Sequence, residues 1–427
     1  MRQLACYDFS FRGRILYPLV SAFLLFPLAG CEESQPAAWG LRDEVLELPA
    51  VQRDEIAQLL AAVHGSYEDP RIRIVDEEAT EALQEAREDA EDAESDGADS
   101  EDDAAADVEA ADVETLVAYK DLVDPQRLIR GRELFGQYCA GCHGVSGDGM
   151  GPAGEYLYPP PRDYRPGVFK FTSTPDNFKP RREDIELVIR RGAKGTSMPA
   201  FRWLPKQDVA ALTDYVILLS RRGELELSLL NYILEEGFEE EDFKDPDTLA
   251  EFRESAFELL ARIDERWNDA EDAIVMPEVP EPPRTEETIL AGQSLFLDKK
   301  QNCYSCHGAD ARGGIEDDTL SKDAWGQPAI AANLTTGMYH GGGRPIDLYR
   351  RIHSGITTRM PAFGTALADD PEQIWHLVHF VQAVGEGREI TAEPTGLEDE
   401  AASDGAAGDE AASDGAAGDE VPEDSDS

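Results

Sequence analysis

The sequence predicts an all-α protein in which two small helical domains are joined by a helical insert, with acidic segments outside them. Three observations carry this expectation. The pattern YCAGCHGVSGDG at 138–149 returns as NCYSCHGADARG at 302–313. A helical pattern leads into each copy, and a strongly amphipathic one closes each half. Glu, Asp and Ala fill most of 76–114, and AASDGAAGDE at 401–410 repeats at 411–420. Such stretches have too little apolar surface to build a core.

The chain opens on a targeting segment. Arg12 and Arg14 precede the apolar run ILYPLVSAFLLFPLAG, which ends at Cys31. A charged start and a short apolar core mark a secretory signal. The run is 16 residues, shorter than the about 20 needed to cross a bilayer. Leu28-Ala29-Gly30-Cys31 resembles a bacterial lipobox, which places cleavage before Cys31 and lipid on its thiol. The division expected is a signal peptide at 1–30, an acidic stalk with one short helix near 54–63 at 31–123, a first domain at 124–223, a helical and Pro-rich linker at 224–284, a second domain at 285–390, and a disordered acidic tail at 391–427.

The domain helices follow from their ends. Asp124-Pro125 starts the helix that carries Leu128, Leu134 and Phe135 into Cys139. Thr285 caps the second, with Glu287 and Thr288 in its first turn. The closing helices span 206–222 and 371–384, with Gly223 and Gly385 placed as C-terminal caps. In the insert, Leu225, Leu229, Leu230 and Ile233 form one apolar stretch and Phe252, Phe257, Leu260 and Ile263 another. PEVPEPP at 277–283 reads as a stiff extended spacer.

Charge is uneven. The formal total is −49, which argues against a nucleic-acid partner. Residues 126–222 hold 16 Lys and Arg against 10 Asp and Glu, whereas 285–390 hold 9 against 14. The first domain is therefore basic and the second acidic, an arrangement suited either to an acidic solubilising coat or to two faces that meet different partners.

The repeated pattern is C-x-x-C-H: Cys139, Cys142 and His143, then Cys303, Cys306 and His307. Two thiols three positions apart match the two vinyl groups of one haem, and the next residue supplies an imidazole to the iron. This is the signature of c-type haem attachment. A thioredoxin-like reading lacks its βαβ context. A zinc site would have to join pairs 161 positions apart. Two covalently attached haem c groups are expected. Of the other cysteines, Cys6 falls in the leader and Cys31 is assigned to lipid, so no structural disulfide is expected.

A second axial ligand is offered twice in one context, TSMPAF with Met198 and TRMPAF with Met360. Each lies 55 or 53 positions after its histidine. Thioether sulfur favours reduced iron and raises the potential. Pro after each Met stiffens the loop. Met338, His340 and His353 are rivals for the second iron, while Met150 sits too close to His143. The proximal histidines need acceptors for their second nitrogen, expected within 159–161 and near Gln327-Pro328. Arg162, Arg165 and Arg344 are candidates for haem propionates, and Trp203 and Trp325 for haem walls.

Helix, C-x-x-C-H, Pro loop, M-P-A-F and closing helix together resemble class I cytochrome c domains, over about 125–222 and 285–387. The stretch PPPRDYRPGVFKFTSTP is similar to that of di-haem lipoprotein cytochromes of bacterial respiratory gene clusters. The resemblance implies one haem per domain with ligands His143/Met198 and His307/Met360. Two six-coordinate irons leave no open position for a substrate. The expectation is thus a membrane-tethered, extracytoplasmic (periplasmic-side) electron carrier between redox proteins of a respiratory chain. The alternatives are a di-haem peroxidase, or a cytochrome subunit of a dehydrogenase or of a terminal reductase or oxidase.

Overall fold

The computed structural model describes residues 38–76, 78–83, 85, 117–314, 322–328, 330–356 and 360–391. The leader, Cys31, most of the acidic run and the repeat tail lie outside the described residues. Helices α1 (Asp43–Leu46) and α2 (Ala50–His64) come first. Strands β1 (Arg73–Val75) and β2 (Tyr119–Asp121) pair antiparallel, with Ile74 opposite Lys120. The first domain then adds α3 (Pro125–Tyr138), α4 (Ala140–His143), α5 (Arg182–Arg191) and α6 (Lys206–Glu236). Helix α7 (Pro246–Asp272) belongs to the insert. The second domain holds α8 (Glu286–Phe296), α9 (Cys303–His307), α10 (Pro345–Ser354) and α11 (Glu372–Gly385). The predicted all-α class holds, with one small strand pair added.

That strand pair corrects the stalk. Asp76 N–H donates to Ala118 O at 2.8 Å and Ala118 N–H to Thr80 Oγ1 at 3.1 Å. The acidic run therefore leaves and rejoins the body at one point. The segment before the run is also docked. Val45, Ile56, Leu59, Leu60 and Ile72 are buried with Leu128, Phe135 and Tyr215 in one core. Trp39 Nε1–H donates to Tyr215 Oη at 3.1 Å, and Arg42 N–H to Glu226 at 2.6 Å.

Helix α6 corrects the boundary at 223. Gly223 lies inside the helix, not after it, and Gly237 at φ +73° is the cap. The apolar period continues through Leu225, Leu229, Leu230 and Ile233, all buried. Their burial outweighs the about 1 kcal/mol that an interior glycine costs. Glycine is needed there because the loop at Arg165 crosses the helix, and an added Cβ would sit 2.3 Å from the Cβ of Arg165. Helix α7 packs on the same core through Phe252, Leu260, Ile263 and Trp267. The insert is thus a structural part of the first domain. The Pro-rich segment has no helix or strand, and it is docked. Val275 N–H donates to Ser173 O at 2.8 Å, and Trp375 Nε1–H donates to Val279 O at 3.0 Å. Gly385 is the last residue of α11, one position from its expected place.

The two domains meet through opposite charge. Asp323 of the second, 1% exposed at its side chain, takes Lys170 Nζ at 2.9 Å and Arg162 Nη1 at 3.3 Å from the first. Asp347 takes Arg191 Nη1 at 2.9 Å, and Arg351 Nη1–H donates to Lys170 O at 2.7 Å. Part of the charge asymmetry is therefore spent inside the chain.

Candidate functional site

The start of each domain is built as expected. Asp124 caps α3 by accepting Gln126 N–H at 3.0 Å, and Thr285 caps α8 by accepting Thr288 N–H at 3.3 Å. Each of these helices crosses the closing helix at a glycine. A Cβ on Gly131 would lie 2.3 Å from Ala211 O, and one on Gly292 would lie 2.0 Å from His376 O. The sequence reading missed both glycines. They stand eight and eleven residues before their C-x-x-C-H, each the seventh residue of its leading helix, and that shared position was the available signal.

C-x-x-C-H forms one helical turn in both domains, α4 and α9. His143 N–H donates to Cys139 O at 2.9 Å, which sets the first cysteine and the histidine on one face. His143 Nδ1 meets Arg162 O at 3.2 Å, and His307 Nδ1 meets Ala332 O at 3.1 Å. A carbonyl can only accept, so Nδ1 carries the proton and Nε2 keeps its lone pair for a metal. The acceptors lie one residue beyond 159–161 and four beyond Pro328. Burial lowers both histidines, which holds them neutral. Tyr164 stacks on His143 at 4.7 Å between centroids and continues to Phe169 and Trp267. No sequence signal marked Tyr164.

The four thiols fit covalent haem. None forms a disulfide. Burial, with a smaller contribution from Cys142, pushes Cys139 up to about 12, and burial pushes Cys303 up to about 11. Among the described residues, no three His, Cys, Asp or Glu side chains converge as a metal site.

The two methionine loops are held alike. Gly192 caps α5 at φ +66° and Gly355 caps α10 at φ +71°. A Cβ on either would meet the methionine carbonyl, at 2.6 Å for Met198 and 2.4 Å for Met360. Phe201 N–H donates to Ile189 O at 3.1 Å, and Phe363 N–H to Ile352 O at 3.0 Å. Met198 and Met360 are both half-buried, and Met360 packs on the second core.

The rivals are placed otherwise. Met338 is half-exposed. His340 lies against Gly195 and edge-on to Phe171, both of the first domain. His353 stacks on Tyr349 and its Nδ1 meets Ser354 Oγ at 3.1 Å. Arg165 holds Asp163 and Arg344 holds Asp347, while Arg162 holds Asp323. Each of the three arginines thus already has a carboxylate of the chain. Trp203 is 62% exposed beside Tyr138 and Phe201. Trp325 lies across the domain interface, under the Arg162 guanidinium at 4.4 Å.

Residues 126–216 match the family described as subunit III of cbb3-type cytochrome c oxidase, and residues 289–385 match the cytochrome c family. These are two c-type cytochrome domains in one chain. The di-haem cytochrome carries two covalently bound haem c groups, one per domain. It is an electron-transfer cytochrome. A solved chain described as the reducing HAO-like protein complex of Kuenenia stuttgartiensis is similar at 26% identity, covering 60% of this chain and 95% of that one, with a TM-score of 0.45. No curated protein matches the cytochrome.

Proposed function

We propose that the protein is a dedicated electron carrier, tethered to a membrane outside the cytoplasm, that passes single electrons between redox proteins of a respiratory chain. Cys139 and Cys142 attach the first haem and Cys303 and Cys306 the second. His143 and His307 would serve as the proximal ligands, and Met198 and Met360 as the distal ones. When bound, haem c supplies a one-electron iron couple whose potential is set by axial ligand, burial and hydrogen bonding.

The observation that carries this reading is the matched hold on the two methionine loops. Gly192 and Gly355 occupy equivalent caps, and the Phe201 and Phe363 amides close equivalent bonds. A loop fixed in this way presents its sulfur at a set position, and two such loops serve two closed irons better than one open iron. The Arg162 and Ala332 carbonyls hold the two imidazoles. Lipid on Cys31 supplies the tether. The likeness of residues 126–216 to an oxidase subunit family fits a place beside a membrane complex.

Near-infrared magnetic circular dichroism with electron paramagnetic resonance tests the reading on the haem-loaded protein. Two low-spin His/Met signals are expected. One high-spin or ligand-exchangeable iron would overturn it in favour of a peroxidase.

A further inference from the structure

The dipeptide Arg162-Asp163 has two tasks. The carbonyl of Arg162 accepts from His143 Nδ1 at 3.2 Å. The carbonyl of Asp163, one residue on, accepts from the indole Nε1–H of Trp325 at 2.9 Å. The donor comes from the other domain. The guanidinium of Arg162 lies over the Trp325 ring at 4.4 Å and reaches Asp323 Oδ2 at 3.3 Å. Asp323 is itself held, because its Oδ1 accepts from the Trp325 and Gln327 amides, both at 3.0 Å. Asp323 N–H donates to Gln327 O at 2.7 Å, which closes 323–327 into a tight turn. Lys170 of the first domain adds a second cation to Asp323 Oδ2 at 2.9 Å.

We propose that Asp323 and Trp325 of the second domain are positioning residues of the first haem site: by clamping Arg162-Asp163 they set the bond that orients His143. The inference rests on His143 being the proximal ligand of the first haem. A carbonyl can move only with its peptide plane, and this plane is gripped from both sides. The first peptide carbonyl points at His143, the next is pinned by the indole, and the side chain between them is stacked and paired. A donated Nδ1–H bond makes Nε2 more electron-rich, and a more basic axial ligand favours oxidised iron and lowers the potential. Docking of the second domain therefore holds the first potential down. The second domain has no reciprocal clamp: among the described residues, no hydrogen bond or ion pair from the first domain reaches Ala332, the acceptor of His307.

The test uses the haem-loaded full chain with Trp325→Phe, Trp325→Leu and Asp323→Asn. Midpoint potentials of both haems are read by spectroelectrochemistry, and hydrogen exchange is followed over 159–166. His143→Ala and His307→Ala identify which potential belongs to which site. The expected result is a rise in the first potential, larger for Trp325→Leu than for Trp325→Phe, with faster exchange over 159–166 and a smaller or no change in the second potential. Trp325→Phe keeps a ring under Arg162 and loses only the N–H, so it remains informative should the leucine variant fold poorly. An unchanged first potential, or equal shifts in both, would overturn the proposal. If His143→Ala leaves both haem spectra unchanged, the ligand assignment itself is wrong, and that failure is separate.

Discussion

Gly131 of α3 lies directly against Tyr215 of α6: a Cβ on the glycine would stand 2.8 Å from the Cβ of the tyrosine and 2.3 Å from Ala211 O. Gly292 meets Phe380 and His376 in the same manner in the second domain. The leading and closing helices can approach this closely only where one has no side chain. Tyr215 and Phe380 are fully buried at these crossings.

Valine at either glycine should force the helices apart. Overpacking of this kind costs about 1–3 kcal/mol. Urea unfolding of Gly131→Val and Gly292→Val should show it, with haem retention lost first in the domain altered. Wild-type stability in both variants would show that the crossing is not tight.

The methionine loops should depend on their caps. Alanine at Gly355 would be strained at φ +71° and would press on Met360 O. A non-glycine residue held in this glycine-only backbone region costs about 1–3 kcal/mol before the clash. Gly355→Ala should therefore give high-spin character at the second haem alone, and Gly192→Ala the same at the first. Electron paramagnetic resonance reads the outcome, and two undisturbed low-spin signals would contradict it.

The ligand assignment has a direct check. Met198→Ala should convert only the first haem towards high spin and lower its potential, and Met360→Ala only the second. An unaltered potential would mean that another group binds that iron.

Acid should weaken the domain interface. Burial raises Asp323, but the Lys170 bond and backbone amides outweigh it, and the net shift is downward. Burial likewise raises Asp347, and Arg344 and Arg191 bring it below its ordinary value. A carboxylate whose folded pKa is depressed contributes stability above its unfolded pKa, about 4, and loses it as pH falls through the folded value. The stability difference between wild type and Asp323→Asn should be constant from pH 7 to pH 5 and shrink below about pH 4. A difference that stays level to pH 2 would exclude the charged pairing as its source.

Membrane attachment should follow one residue. Cys31→Ser is expected to move the protein from the membrane fraction to the soluble one on cell fractionation. Retention in the membrane would rule out the lipid anchor.

Short-range chemistry was readable from the amino-acid order. C-x-x-C-H, the methionine contexts and the caps at Asp124 and Thr285 depend on residue type at small separations, where backbone geometry fixes who meets whom. The apolar periods of α3, α8 and α11 were legible for the same reason. Other features needed the folded chain. A carbonyl acceptor has no residue signature, so Arg162 and Ala332 could only be found in space. Gly223 looked like a stop because glycine caps helices, yet burial of Leu225 to Ile233 carries α6 past it. The ends of the acidic run meet because β1 pairs with β2 across more than forty residues of chain. Trp325 meets the first domain because Asp323, two residues before it, pairs with Arg162 and Lys170 across the interface. The sequence by itself determined two haem-binding domains and named candidate ligands for each. The tertiary structure alone decided how those ligands are held and joined, because contacts between distant residues leave no periodic or local trace in the order of the chain.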